Sequence, residues 1–331
     1  MLFSAIKYIF WRFRIFYIIF LFLRTLLSFY LTRRLRIWLI LEINFLCFVR
    51  LLRQELRIKN TNGNIYYFLI QSLGRALMLI RILNFLIFKI TIFEFFFYIF
   101  ILLKLGGAPF QFWYLKLIQK LSWINIWLLS IWQKLIPLLL LKLRNNFLIL
   151  LFGLLRVFIG RITNLNQNKI KKILGLSSLF SLGWVLISLI FSKIWIWFIV
   201  GYGIALFFLL SFIKYLNFIR IESLESLRFN YIFIIIFYSG LLIIRGIPPF
   251  IIFYLKIIIL IELIKLRLAL VLVLLIIRIF IIYIYLIIGF SLLTFLKSIS
   301  RTRKINFKNI ISLINYILYN LLYRIIIIIF I

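Results

Sequence analysis

Apolar runs long enough to cross a bilayer recur along this chain from Ile6 to Ile331, broken only by short polar stretches such as Asn60–Asn64 (NTNGN) and Thr163–Asn168 (TNLNQN). A hydrocarbon core about 30 Å thick takes roughly 20 mainly apolar residues per helical span, so this pattern commits the chain to helices packed side by side in lipid. The runs are continuous rather than alternating, which argues against a membrane barrel. Spans are expected at 5–23, 29–51, 65–88, 92–113, 122–142, 146–162, 174–192, 194–216, 230–263, 266–290 and 309–330. The fold class is therefore all-α, a polytopic transmembrane bundle of about 11 helices. The connections are too short for a soluble domain, so residues 1–331 read as one transmembrane domain. Tyr8–Leu23 reads as a first span rather than a removable signal, because the N-terminal region lacks a small-residue cleavage site.

The residue types that are scarce exclude most site chemistry. The chain has no His, one Cys (Cys47) and six acidic residues, all Glu. Zinc sites, iron–sulfur clusters and most haem sites need ligands that this set does not supply, so neither a metal nor a redox cofactor is expected in this chain. One Cys also forms no internal disulfide. The formal charge of +34 would suit a nucleic-acid binder if its cations shared a solvated face. Instead Arg75, Arg81, Arg156, Arg245 and Arg278 lie within apolar stretches, and no nucleic-acid partner is expected.

Three of the four Pro fall in two motifs, Gly106–Phe110 (GGAPF) and Gly246–Phe250 (GIPPF), each inside a hydrophobic run. Pro removes a backbone donor and neighbouring Gly eases the exit from helical geometry, so Gly106, Gly107 and Pro109, and Gly246, Pro248 and Pro249, mark two expected helix breaks. Such breaks are tolerated at membrane depth where they face protein or a wet cavity. Packing kinks are the plainer alternative. Lys104 precedes the first break, Lys256 follows the second, and Lys134 lies mid-span. A cation at the bilayer centre costs roughly 2.5–3.5 kcal/mol, so it faces a partner or water. Desolvation penalises the charged form of an amine, which suits it to exchanging a proton. Snorkelling is the better account of Lys7, Lys89, Lys142 and Lys265. Glu42, within Trp38–Leu46 (WLILEINFL), is the acid expected to pair with Lys104; a buried ion pair without transport is the competing account.

The run Lys104–Trp113 (KLGGAPFQFW), followed by Leu121–Leu135 (LSWINIWLLSIWQKL) and Pro137, resembles the central segment of the metazoan mitochondrial NADH dehydrogenase subunit 2 family. Leu41–Asn44 (LEIN), Leu165–Trp184 (LNQNKIKKILGLSSLFSLGW) and Gly246–Lys256 (GIPPFIIFYLK) agree in order, so the resemblance spans roughly residues 30–260. It implies an antiporter-like core over about 30–290, with a discontinuous helix in each of two inverted repeats. It also implies a membrane-arm subunit of respiratory complex I in the mitochondrial inner membrane, working among other membrane subunits, lipid and protons. On that resemblance Glu42, Lys104, Lys134 and Lys256 are the residues of proton translocation, with electron transfer from NADH to ubiquinone in other subunits. A stand-alone cation/proton antiporter and a non-pumping scaffold subunit are the rival expectations. The chain departs from the family at Gln111 and Ser181, where His is usual, and at Leu115 and Lys116, where a Pro–Glu pair is usual.

The arginines call for a separate account. Six Glu stand against 40 Lys and Arg, and burying many uncompensated guanidiniums is unfavourable. The composition is rich in residues with A/T-rich codons, and only two Met occur. Invertebrate mitochondria read AGA and AGG as Ser and AUA as Met, so many Arg of this sequence are expected to be Ser in the native protein, and many Ile to be Met. Peptide mass spectrometry of the native protein should find Ser at positions 75, 81 and 245; Arg at all three would refute this expectation.

Overall fold

A computed structural model of the chain describes residues 2–31, 34–56, 62–88, 94–107, 110–142, 147–162, 169–191, 194–216, 231–246, 250–265, 272 and 274–275. The chain is all-α. Its helices are α1 (Leu2–Tyr30), α2 (Arg34–Leu56), α3 (Asn62–Phe88), α4 (Glu94–Leu105), α5 (Phe112–Ile118), α6 (Trp123–Lys142), α7 (Phe147–Ile162), α8 (Ile170–Ser188), α9 (Ile194–Leu216), α10 (Tyr231–Arg245) and α11 (Ile251–Ile264). Helices α6, α8 and α9 (to Tyr215) are long and apolar enough to cross a membrane, and Ile65–Ile80 and Leu148–Ile159 are shorter apolar helices. The spans expected at 266–290 and 309–330 lie outside the described residues, as do Pro109, Pro248 and Pro249.

The helices fall into two compact units, Met1–Ile221 and Glu222–Ile331. In the first, α1 to α4 pack in sequence order and α6 lies against α1, α2, α4 and α9. The indole of Trp127 donates to the Gly203 carbonyl at 2.9 Å, tying α6 to α9, and that of Trp132 donates to the Leu21 carbonyl at 3.4 Å, tying it to α1. In the second unit α10 packs against α11.

At both expected breaks the described residues include a glycine in the left-handed conformation directly after a helix. Helix α4 is followed by Gly106, φ +63, whose N–H donates to Leu103 O (3.1 Å), while the Gly107 N–H donates to Leu102 O (2.6 Å). Those paired bonds around a left-handed residue are a Schellman cap, and the left-handed position is one that favours Gly. Helix α10 is followed by Gly246, φ +69, whose N–H donates to Ile243 O at 3.0 Å. The run expected at 92–113 thus stops at Leu105, and α5 begins a short helix of its own.

Helix α6 carries a turn that the sequence pattern did not reveal: Leu128–Trp132 is π-helical. Pro137 sits inside the following segment, where its ring crowds the carbonyl four residues back, that of Gln133. The wider turn directly before Gln133 accommodates that crowding.

Helix α8 is almost wholly buried although it carries four serines. Each hydroxyl donates to a carbonyl one turn back: Ser177 to Leu174, Ser178 to Gly175, Ser181 to Ser178, and Ser188 to Val185. Such back-bonding lets a hydroxyl sit in an apolar bundle without an orphaned donor. Helix α7 crosses α8 where glycines face each other. A Cβ on Gly183 would meet Val157 Cγ2 at 2.7 Å and the Gly153 carbonyl at 3.1 Å. Small residues at a membrane helix crossing let the backbones approach closely. Gly183→Val should therefore destabilise the protein by about 1–3 kcal/mol, read as a lower thermal midpoint in detergent; an unchanged midpoint would rule out this crossing.

Candidate functional site

Lys104 is carried to the site by the last turn of α4 and is 5% exposed. Its stem passes over Gly74 of α3, where a Cβ would meet Lys104 Cγ at 3.1 Å, so the missing side chain at Gly74 makes room for it. The ammonium has no hydrogen-bond partner among the described residues. The carbonyls around it are better served. Gln71 Nε2 donates to Lys104 O at 3.0 Å, and the Trp113 indole donates to Leu103 O at 3.2 Å. Both bonds satisfy backbone acceptors released by the break.

Lys134, on α6 immediately after the π turn, is 6% exposed. Its ammonium donates to Ser178 O on α8 at 3.1 Å and lies 4.9 Å from the centre of the Tyr114 ring, a cation–π contact. A cavity connects the two lysines. Its lining includes Lys104 and Lys134 together with the amides of Asn44, Gln71 and Gln133 and the rings of Tyr67 and Tyr114. Asn44 Oδ1 accepts no hydrogen bond from the described residues, and Gln133 Nε2 donates none to them.

Glu42 does not meet Lys104 in this structure. Its Oε1 is taken by the guanidinium of Arg75 on α3, which also donates from Nε to Gln71 O (3.2 Å) and lies over the Phe45 ring at 3.8 Å. The reason is local. Arg75 is one turn beyond Gln71 on α3, and a planar guanidinium reaches a carboxylate more readily than a lysine on the next helix. Glu42 Oε2 is buried and has no partner among the described residues.

Lys256 belongs to the second unit and is 3% exposed. From the second turn of α11 it reaches back across the break, where Nζ donates to the carbonyl of Arg245, the last residue of α10. A Cβ on Gly246 would meet that Nζ at 3.0 Å. An ammonium on the carbonyl end of a helix is favoured by its partial negative charge.

Three neighbours of the lysines were not singled out in advance as site residues. Tyr114 and Ser178 share a hydrogen bond of 2.5 Å between hydroxyls. Arg156 of α7 is 2% exposed and donates from Nε to Leu179 O at 2.8 Å; its terminal nitrogens have no hydrogen-bond partner among the described residues. One of them stands 2.9 Å from where a Cβ on Gly107 would lie, against the first break. Tyr114 and Ser178 are 64 residues apart, so only the packing of α5 on α8 brings them together. Arg156 sits in an apolar run, and its burial was the only available signal.

Residues 85–282 match the model of the family described as NADH:quinone oxidoreductase/Mrp antiporter, transmembrane. The chain is 30% identical over 226 residues to NADH-ubiquinone oxidoreductase chain 2 of Anopheles gambiae, covering 64% of this chain and 66% of that protein. It is 28% identical over 225 residues to the protein of the same name from Artemia franciscana, covering 67% of this chain and 71% of that one. Against the Lumbricus terrestris protein of that name it is 32% identical over 164 residues, 45% of this chain and 47% of the relative. The chain thus spans between about half and two thirds of the length of most of these relatives. Its fold is similar to a chain of respiratory complex I from Thermus thermophilus, with TM-score 0.62 and 18% identity, covering 75% of this chain and 63% of that one. It is equally similar to a chain of the Mrp complex from Dietzia, with TM-score 0.62 and 14% identity, covering 75% and 55%. With more than half its length matched, and with broken helices and buried lysines inside the matched region, the chain belongs to the family of NADH:quinone oxidoreductase and Mrp antiporter transmembrane proteins.

Proposed function

We propose that this chain is a core membrane-arm subunit of the NADH:ubiquinone oxidoreductase of the mitochondrial inner membrane, and that it moves protons while other subunits carry the electrons. The observation that carries this proposal is the cavity shared by Lys104 and Lys134, two buried amines on different helices with a polar lining between them. The relatives named chain 2 favour this over a stand-alone antiporter of the same fold. On this proposal the partners are the neighbouring membrane subunits and lipid, and the chain binds no redox cofactor.

The residues divide the work by chemistry. Lys104 and Lys134 gain and lose the proton. Asn44, Gln71 and Gln133 can donate and accept hydrogen bonds but do not ionise, so they hold water in the cavity without trapping the charge. Buried polar atoms such as Asn44 Oδ1 and Gln133 Nε2 are ordinarily satisfied by water of this kind. Transfer from one Nζ to the other proceeds through such water, one amine becoming neutral as the other becomes an ammonium. Lys256 acts as a third exchanging group, its ammonium stabilised by the α10 terminus while charged. Glu42 sets the field at the α2–α3 side. If position 75 is Ser in the native protein, the guanidinium that now holds Glu42 is gone, and Lys104 is left as its counter-charge, restoring the switching pair.

In the assembled complex, Lys104→Ala should lower the number of protons moved per NADH oxidised, and an unchanged ratio would count against its role. Lys134→Arg gives a sharper test. Arginine keeps the positive charge but does not release a proton at working pH, so the ratio should fall as far as it does in Lys134→Ala. A normal ratio in Lys134→Arg would make Lys134 a structural charge rather than a carrier.

A further inference from the structure

The Lys134 ammonium rests on two supports that treat its protonation states differently. One is the Ser178 carbonyl at 3.1 Å, which also accepts from Ser181 Oγ at 3.1 Å. A carbonyl accepts an N–H from a neutral amine too, though less strongly than from an ammonium. The other is the face of the Tyr114 ring, whose centre lies 4.9 Å from Nζ. A ring face attracts a cation through its quadrupole and gains nothing comparable from a neutral amine. The ring is buried and fixed from three directions. Ser178 Oγ spends its one proton on Gly175 O (2.8 Å), so the phenol is the donor in the 2.5 Å bond between the two hydroxyls. Tyr114 Cβ packs against the first break, 3.0 Å from where a Cβ on Gly106 would lie. The Trp113 ring meets it edge-on, 5.8 Å between centres and 89° between planes, and Trp113 in turn donates to Leu103 O. One ring thus ties Lys134 to the break beside Lys104.

We propose that Tyr114 is a positioning residue for Lys134, and that its ring holds the proton on that amine until the amine moves off the ring. This rests on the proton-transfer function proposed above. A cation–π contact shielded from water biases an amine toward its ammonium by roughly thirtyfold. In loading, Lys134 Nζ accepts the proton that Lys104 gives up through the cavity water. In release it passes one proton to water and becomes neutral. Tyr114 keeps its own proton throughout, since its hydroxyl is engaged with Ser178, and it forms no bond to the proton that moves. Without the ring, the hydrogen bond to Ser178 O would remain, but the amine would lose most of its preference for the charged state. Fewer turnovers would then find Lys134 loaded. Because the ring is seated on Gly106 and Trp113, its distance from the ammonium depends on the first break, so a shift of that break tightens or loosens the hold.

The test changes position 114 in the assembled complex reconstituted into vesicles, reading protons moved per NADH oxidised. Lys134→Ala sets the full loss. Tyr114→Phe keeps the ring and removes the hydroxyl; it should keep the normal ratio. Phenylalanines carrying one, two and three fluorines at this position keep the shape of the ring while withdrawing electron density from its face, so the ratio should fall stepwise with fluorine number. Tyr114→Leu removes the ring and should lower the ratio at least as far as the trifluoro form. A ratio unmoved by fluorination would overturn the proposal even with a loss in Tyr114→Leu, because that loss would report packing. A loss in Tyr114→Phe as large as that in Tyr114→Leu would overturn it too, assigning the effect to the hydrogen bond with Ser178. Either result leaves the proton-transfer function standing where Lys134→Ala lowers the ratio. A normal ratio in Lys134→Ala would overturn that function, and the role of the ring with it.

Discussion

A helix that stops inside a bilayer leaves carbonyls that lipid cannot hydrate, and how this chain satisfies them determines where its charges sit. At both ends the first remedy is backbone geometry, with Gly106 and Gly246 in the left-handed conformation. The second is a buried donor from elsewhere: Gln71 and Trp113 at the end of α4, Lys256 at the end of α10. A donor drawn to such a place is held within the membrane rather than at its surface. The break thus does two things at once: it supplies the acceptor that makes a buried cation tolerable, and it fixes the position of that cation. Lys104 differs from Lys256 in this respect. It lies on the near side of its break, so its carbonyl is satisfied while its ammonium is left to the cavity.

The sequence made the lysines conspicuous because an ammonium in an apolar run has few harmless explanations. It made the breaks conspicuous because Gly and Pro act through local backbone geometry, which depends on adjacent residues alone. Features built by packing were not legible in this way. The Glu42–Arg75 contact joins residues 33 apart, and nothing in the spacing distinguishes Arg75 from Lys104 as the partner. Tyr114 is conspicuous to no sequence rule, since a tyrosine in an apolar stretch is ordinary; it matters only because α5 brings it to Ser178. The π turn is an intermediate case. Pro137 lies inside the span expected at 122–142, and a proline alone does not say whether its helix kinks or widens.

The arginines can be judged by the same electrostatics. Arg75 donates to the carbonyl of Gln71, whose amide holds the Lys104 carbonyl, and Arg156 and Lys134 donate to neighbouring carbonyls of α8, those of Leu179 and Ser178. Two unit charges 4 Å apart interact by about 4 kcal/mol at an effective dielectric constant of 20, and an arginine carries its charge throughout the cycle. A fixed cation beside a carrier therefore opposes loading in every turnover. A serine in the same place would oppose nothing and would add a hydroxyl that can bind the water through which protons move. Arg156 makes the contrast clearest. It is among the most buried side chains, its terminal nitrogens lack hydrogen-bond partners among the described residues, and one of them fills the space beside Gly107 that a Cβ would need. A hydroxyl there would remove the buried charge and its unpartnered donors together. A proton carrier works best when no fixed charge of its own sign stands beside it, and by that criterion serine fits these positions better than arginine.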